Sequence, residues 1–441
     1  MPRVIIVGGG LAGLAAAAAL GEAGFEVEVF EARPFAGGRA TSFPWTGPEG
    51  QSLLIDNCQH ILLRCCANLL DFYERLGVAG LIRFYREFYF IEPGGRVSVL
   101  AGGRLPAPWH FTPSFLCVKF LGFEDKLAIL RALAAVGREY RLREELERMT
   151  MLAWLEEKRQ PGRAIERFWR QVLVSAVNEE LDRMAARYGL QVIWLGFLAS
   201  AQGYEMGVPA VALAELYRAE AWSKFERVRL RMRAPVDRVI FRGGRAGAVV
   251  SAGETASADF FILAVPFERI AGLAPELGLD FAGWEHSPIT GIHLWYDRPV
   301  TELPHATLLD RTIQWFFNKA DGRYLQVVVS ASRRLLELAR SELVELAHGE
   351  LAEFLPAVRS ARLEQAHVIK EVRATFSAVP GLEALRPPAG TAFENLFLAG
   401  DWTRSGWPPT MEGAVRSGYL AAEAITAACG RPVRYLKPDP A

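Results

Sequence analysis

Arg3-Val4-Ile5-Ile6-Val7 is a continuous apolar run of the kind that makes a strand buried on both faces. An Ala-rich apolar stretch from Leu11 to about Ala23 predicts a helix, Gly24 ends it, and Phe25 to Phe30 predicts a second strand. Near the other end, Asn395-Leu396-Phe397-Leu398-Ala399 reads as another buried strand, and an amphipathic helix is expected to run to about Ala428. Residues 234–240 and 259–266 have the same buried-strand texture. Between these pieces, residues 86–225 are rich in helix formers, aromatics and Arg/Glu, while residues 276–390 mix strand and helix patterns. No internal repeat or low-complexity segment is found. The tail from Pro432 to Ala441 carries three prolines and is expected to be loosely ordered.

Length and composition fit this reading. The 441 residues suit a two-domain enzyme, and 51% hydrophobic residues, with 11 Trp and 26 Phe, suffice for two cores and an apolar cavity. Fifty basic residues balance fifty acidic ones, which argues against nucleic acid as a partner. Five cysteines without regular spacing make no disulfide framework, so a reducing, cytoplasmic setting is expected. The seven histidines are scattered and no metal-ligand spacing occurs. The N-terminal apolar run passes through a glycine turn into a helix and a new strand, so it is read as folded rather than as a signal peptide. The apolar stretch from Val192 to Leu213 is broken by Gly196, Gln202, Gly203, Glu205 and Pro209, and no membrane span is expected.

Gly8, Gly10 and Gly13 stand at the GxGxxG spacing between the first strand and the first helix. The first permits the tight turn, the second lets the backbone approach a pyrophosphate, and the third lets helix and strand pack closely. Leu11, Ala12 and Gly13 open a helix whose free N–H groups and dipole suit phosphate. Glu31, at the end of the second strand, is placed to accept ribose hydroxyls and would repel a 2′-phosphate.

The residues that follow, Glu31-Ala32-Arg33-Pro34 and then Gly37-Gly38-Arg39-Ala40-Thr41-Ser42, resemble the FAD-dependent amine oxidases and phytoene-type desaturases. The resemblance continues in Gly400-Asp401-Trp402 and in the stretch Pro408-Pro409-Thr410-Met411-Glu412-Gly413-Ala414. It implies an α/β fold: a Rossmann-type, three-layer ββα FAD-binding domain with a second, discontinuous α+β substrate domain. The implied division is 1–85, 226–275 and 391–431 for the first, and 86–225 with 276–390 for the second. FAD is implied as the cofactor. Gly37, Gly38 and Arg39 would lie along the pyrophosphate and flavin, Asp401 would bind the ribityl chain, and the backbone of Val236 would contact the adenine. The helix begun by Met411, Glu412 and Ala414 would point its N-terminus at the flavin N1–C2=O edge, where reduced flavin carries negative charge.

For the substrate, Asp56-Asn57-Cys58-Gln59-His60 stands where desaturase relatives carry an Asp-x-Gly-x-His pattern. With Cys65-Cys66 and Gly203-Tyr204-Glu205-Met206-Gly207-Val208-Pro209, this variant looks like the bacterial hydroxysqualene dehydroxylases. That resemblance implies loss of an allylic hydroxyl from a long-chain isoprenoid, giving squalene for hopanoid synthesis, with reduced FAD as hydride source. Asp56 and His60 are the candidate catalytic acids; a turn cap and a polar-cluster partner are their structural alternatives. Cys65-Cys66 reads as packing. Residues 110–123 are short, apolar and aromatic; they fit either an interfacial anchor making peripheral membrane contact or the core-facing start of a helix. Trp402, Trp407 and residues 193–197 fit either a tunnel lining or core. Other activities on the scaffold are a polyene desaturase, an amine oxidase with Trp402 and Trp407 as substrate-enclosing rings, and a non-catalytic isoprenoid escort. Neither the electron donor to FAD nor the oligomeric state can be read from the residues.

Overall fold

The computed structural model describes residues 2–47, 50 and 52–440. Five parallel strands form the nucleotide-domain sheet, in the order Val228–Arg231, Glu26–Phe30, Arg3–Val7, Phe260–Leu263, Leu396–Leu398. The apolar run at the N-terminus is central in it, and each of its faces has a separate core. Val4 and Ile6 pack with the Ala-rich helix Leu11–Glu22, while Ile5 and Val7 pack in a second cluster with Val236, Val239, Ala246 and Val249. Those last residues belong to an antiparallel sheet of Val236–Arg242, Arg245–Ser251 and Glu254–Ser257. The result is the expected ββα layering.

Small residues set the spacing of the helical layer. Residues 11–20 of the first helix are all buried, and five consecutive alanines let it lie against both the sheet and the Met411–Ala428 helix. A Cβ on Gly418 would stand 2.1 Å from the Ala12 carbonyl oxygen, so these helices meet at backbone distance.

The remaining residues build a seven-stranded mixed sheet in the order Leu363–Phe376, His286–Tyr296, Tyr324–Ser330, Trp315–Ala320, His305–Leu308, Glu87–Glu92, Arg96–Ala101. Parallel pairing of Glu87–Glu92 with His305–Leu308 joins two segments far apart in sequence. Ile292, Leu294, Phe316, Leu325 and Val327 face the helix Arg340–Phe354. The alternate positions, among them Gly291, face the nucleotide-binding segments: a Cβ on Gly291 would lie 3.5 Å from the Asn57 carbonyl oxygen. Helices Phe123–Glu139, Met151–Glu157, Arg170–Val177 and Ala186–Ile193 share the large core with the sheet's aromatic side chains.

The C-terminal tail corrects an expectation. Residues 432–440 form no regular element, yet they are docked rather than loose. Tyr435 is buried, the N–H groups of Tyr435 and Leu436 donate to Glu423, and that of Lys437 donates to Asn68. Asp439 accepts from Arg416 and from the Trp407 indole. Three prolines keep the tail out of helix and sheet, but they leave its other amides free to find side-chain acceptors. Among the described residues no helix is long and apolar enough to cross a membrane.

Candidate functional site

Two glycines of the turn between the first strand and helix, Gly8 and Gly13, have no room for side chains. Gly8 has φ +113°, and a Cβ there would lie 2.4 Å from the Ala264 carbonyl oxygen; one on Gly13 would lie 2.0 Å from the Gly8 carbonyl oxygen. Gly10 caps the helix without a side-chain bond, and no acid stands in the first turn. The orphan N–H groups around Leu11, Ala12 and Gly13 therefore keep their positive field for an external anion. The second glycine pair folds onto this turn. The Gly37 N–H donates to the Gly9 carbonyl at 2.8 Å, and a Cβ on Gly38 would come within 2.9 Å of the Gly10 Cα.

Glu31 is buried beside the turn, its carboxylate accepting from the Gly9 N–H at 2.7 Å and the Arg33 N–H at 2.8 Å. Ala32 and Arg33 stay exposed. The Ala234 N–H donates to the Glu31 carbonyl and the Arg233 N–H to the Arg33 carbonyl, which brings buried Val236 alongside. The two ends of the chain meet in an ion pair: Arg39 Nη2 lies 2.6 Å from Asp401 Oδ1, across 362 residues. Arg39 also donates to the Ala374 carbonyl at 2.9 Å.

Fully buried Arg386 shapes the loop around Asp401. It donates to the carbonyls of Asp401, Thr403 and Trp407 and to Ser405 Oγ. No short-range motif singles it out, since its partners become neighbours only when the chain folds. The Gly400 N–H donates to Ser417 Oγ, and Thr410 caps the following helix through the Gly413 N–H. Met411 and Ala414 are half-buried in its first turn.

Glu412 is buried in the first turn of this helix. Its carboxyl turns inward and accepts from the N–H groups of Asn68 and Leu69 and from the Asn68 amide, capping the helix Ala67–Leu76. Burial pushes its pKa up to about 7, against the pull of those donors and of Arg416.

The residues present fit FAD. Gly8, Gly13, Gly37 and Gly38 leave no room for a Cβ, the uncapped helix suits a diphosphate, and Glu31, Arg39 and Asp401 supply polar groups around it.

The structure brings Asp56 and His60 to this site and sets each among polar partners. Burial alone would raise the Asp56 pKa. Lys319, the Ser42 hydroxyl and the Leu213 N–H more than offset it, so the carboxyl is held below its ordinary range and is ionised. Its Oδ1 accepts from Ser42 at 2.6 Å and Leu213 at 2.9 Å, and Oδ2 lies 2.9 Å from Lys319 Nζ. Lys319 also donates to Gln59 at 3.0 Å. His60 is only partly exposed, and desolvation lowers its pKa to about 4, so the imidazole is neutral near pH 7. It bonds the Asn57 side-chain oxygen at 3.2 Å. Asn57 in turn donates to the Arg39 carbonyl at 2.5 Å, with its N–H on the Thr41 carbonyl. The segment is therefore stitched to the Gly37–Arg39 strip. Buried Cys58 has its thiol pushed up to about 12 by desolvation, so it is no nucleophile. Lys319 was not foreseen; its one sequence signal is a lysine in the otherwise largely apolar strand Trp315–Ala320.

Cys65 and Cys66 are free thiols, and Cys65 packs with Leu195 and Trp407. Trp402 and Trp407 are both buried. Their indole N–H groups are bonded to the Val265 carbonyl and to Asp439, so neither is a free ring. Within residues 110–123, His110, Phe115, Val118, Phe120 and Leu121 are buried, while Leu116 and Phe123, and Trp109 just before them, are exposed.

A diphosphate cradle closed by a distant Gly-Asp loop, with a second domain laid over it, defines an FAD-dependent oxidoreductase. The chain belongs to the family described as flavin containing amine oxidoreductase, which it matches over residues 11–426. It is 32% identical to hydroxysqualene dehydroxylase from Rhodopseudomonas palustris, over 96% of this chain and 98% of that protein. It is 25% identical, with the same coverage, to a probable zeta-carotene desaturase from Synechococcus elongatus. An oxidoreductase from Methanosarcina mazei has the same fold, with TM-score 0.73 at 18% identity over 96% of this chain and all of that one. A putrescine oxidase does so with TM-score 0.72 at 17% identity, over 97% and 99%.

Proposed function

We propose that this protein removes the allylic hydroxyl of hydroxysqualene to give squalene. Reduced FAD supplies the hydride and, in net balance, the proton: R–OH and FADH2 become R–H, water and FAD. The observation that carries this reading is the Asp56–His60 segment, tied through Asn57 to the Arg39 carbonyl and so to the strip along which the flavin is expected. Identity of 32% to a dehydroxylase, against 25% to a desaturase over the same coverage, supports it.

The residues proposed to hold FAD are Gly8, Gly10, Leu11, Ala12, Gly13, Glu31, Ala32, Arg33, Gly37, Gly38, Arg39, Val236, Gly400, Asp401, Met411 and Ala414. The backbone of Glu412 belongs with them; its side chain does not. The FAD domain is proposed as 1–85, 226–275 and 391–431, and the substrate domain as 86–225 and 276–390. Asp56 and Lys319 act as positioning residues: their ion pair joins the Asp56–His60 segment to the strand Trp315–Ala320 of the seven-stranded sheet. His60 is held beside this segment by its bond to the Asn57 side chain. A substrate of this kind partitions into lipid, so contact with a bilayer surface goes with the reading.

Polyene desaturation is the second reading, favoured by the zeta-carotene desaturase relative. Mixing chemically reduced enzyme with hydroxysqualene under anaerobic conditions separates the two. Return of the oxidised-flavin spectrum with one squalene per flavin is expected. No reoxidation, together with reduction of oxidised flavin by a carotene precursor, would assign the protein to desaturation.

A further inference from the structure

One row of side chains across the seven-stranded sheet is more polar than its surroundings call for. Strand pairing sets His305 beside Phe317, Phe317 beside Gln326, Gln326 beside His293, and His293 beside His367. Leu325 and Val327 face the helix Arg340–Phe354, so Gln326 between them points the other way. It lies on the face where Gly291 meets the Asn57 carbonyl. Trp315, Phe317 and Val328 of that face belong to the large apolar core.

Gln326 is wholly buried, and its amide is engaged at one end only. Nε2 lies 3.5 Å from Nε2 of His293, whose Nδ1 bonds the Tyr324 hydroxyl at 2.6 Å. Oε1 has no hydrogen-bond partner among the described residues. An amide oxygen left unpaired in the interior costs free energy, and it calls for a donor from outside the chain.

The groups around it indicate what that donor is. The charges of Asp56 and Lys319 act on the His293 imidazole, and that of Asp56 on the Tyr324 phenol, so this end of the sheet lies beside the Asp56–His60 segment. Burial nonetheless lowers the His293 pKa to about 3 and raises that of Tyr324, which leaves both neutral. The one anion nearby, Asp56, is already taken up by Lys319, Ser42 and the Leu213 N–H. A neutral acceptor on a neutral network suits an uncharged O–H rather than a cation. His305 also has unpartnered ring nitrogens, but it lies among the rings of Tyr85, Tyr89, Trp315 and Phe317, and burial alone lowers its pKa. A face serving only a hydrocarbon gains nothing from an unpaired amide; a chain bearing one hydroxyl supplies its missing donor.

We infer that Gln326 Oε1 accepts the hydroxyl of the substrate, with His293 and Tyr324 as the residues that position the amide. This deepens the function proposed above and rests on it. Gln326 then separates an alcohol from the hydrocarbon of the same length, because a site built to bond a hydroxyl discriminates against the analogue lacking it.

Oxidised holoenzyme has no hydride to give, so it binds hydroxysqualene without consuming it. Its affinity for hydroxysqualene is compared with that for squalene in the same detergent, by labelled lipid retained on gel filtration. Wild type is expected to bind the alcohol about tenfold more tightly or better. Gln326→Met, which fills similar space without the amide, is expected to lose that preference while binding squalene as before. Tyr324→Phe removes the phenol that holds His293 and is expected to lower the preference several-fold, a ratio that a purely structural role would not move. Flavin content and thermal midpoint check that both variants fold. Gln326→Met is expected to keep or raise the midpoint, because it removes an unpaired polar atom.

Equal wild-type affinity for the two lipids overturns the inference. So does an unchanged preference in Gln326→Met, which would leave the amide to an internal water. Turnover by reduced enzyme decides the function separately. Squalene formed from hydroxysqualene, with the preference unchanged in Gln326→Met, sinks the subsite and leaves the function standing. A preference that Gln326→Met abolishes, with no squalene formed by reduced wild type, keeps the subsite and overturns the function.

Discussion

Glu412 shows how one buried carboxyl can tune the whole fold with pH. Its pKa is raised from 4.5 to about 7, so the folded state holds a proton that the unfolded chain releases earlier. Stability from this group is therefore complete below about pH 4.5 and is lost as pH rises through about 7. The full effect is on the order of 3 kcal/mol. Gln at this position keeps an acceptor for Leu69 and Asn68 and removes the ionisation. Thermal midpoints measured between pH 5 and 8 are expected to fall less for Glu412→Gln than for wild type; parallel curves would show that the carboxyl does not titrate in this range. At the same scale, Asp56 teaches the reverse lesson. A carboxylate with two hydrogen-bond donors and a lysine around it is ionised and fully engaged, whatever its position in a motif suggests.

At the scale of elements, the first helix is defined by what its start lacks. No side chain caps it and no acid offsets its dipole, although capping residues usually stabilise a helix by about 1 kcal/mol. That omission keeps its first-turn amides available for phosphate. Close packing of the turn depends on Gly13, where a Cβ would stand 2.0 Å from the Gly8 oxygen. Gly13→Ala is expected to push the turn outward and yield protein with little bound flavin, measured as the flavin-to-protein absorbance ratio. A stoichiometric yellow variant would show that the turn relaxes without closing the cradle. The Met411–Ala428 helix starts differently, with a Thr410 cap and Glu412 in its first turn, and is held against the first helix at Gly418.

At the scale of the whole molecule, distant segments hold one another in place. Arg39 meets Asp401, Asp56 meets Lys319, and Asn68 meets both Glu412 and Lys437. The tail takes part in this closure, covering the Ala67–Leu76 and Met411–Ala428 helices. Ending the chain at Gly430 removes buried Tyr435 and the bonds to Glu423, Asn68 and Arg416. The expected loss is about 2–4 kcal/mol, from one aromatic burial and several orphaned polar groups. It is read as a lower urea midpoint and faster flavin release; an unchanged midpoint would return the tail to the loose state its prolines suggest.

Local chemistry made the nucleotide cradle legible in the residues themselves. Strand, glycine turn, helix, strand and acid lie within the first 31 positions, and Gly13 is required by its contact with Gly8, whereas Gly8 is required by Ala264 from a strand far along the chain. FAD followed from Gly37-Gly38-Arg39 and Gly400-Asp401, whose spacing a family resemblance could bridge. The roles of Asp56, His60 and Glu412 could not be read in this way, because protonation depends on partners brought in from far along the chain. Lys319 lies 263 residues from Asp56, and Asn68 lies 344 from Glu412. Sequence determined where a dinucleotide can dock, since that needs only short-range backbone geometry. Tertiary structure alone decided the surroundings of the Asp56 and Glu412 carboxyls, because desolvation and ion pairing exist only once segments far apart in the chain have folded together.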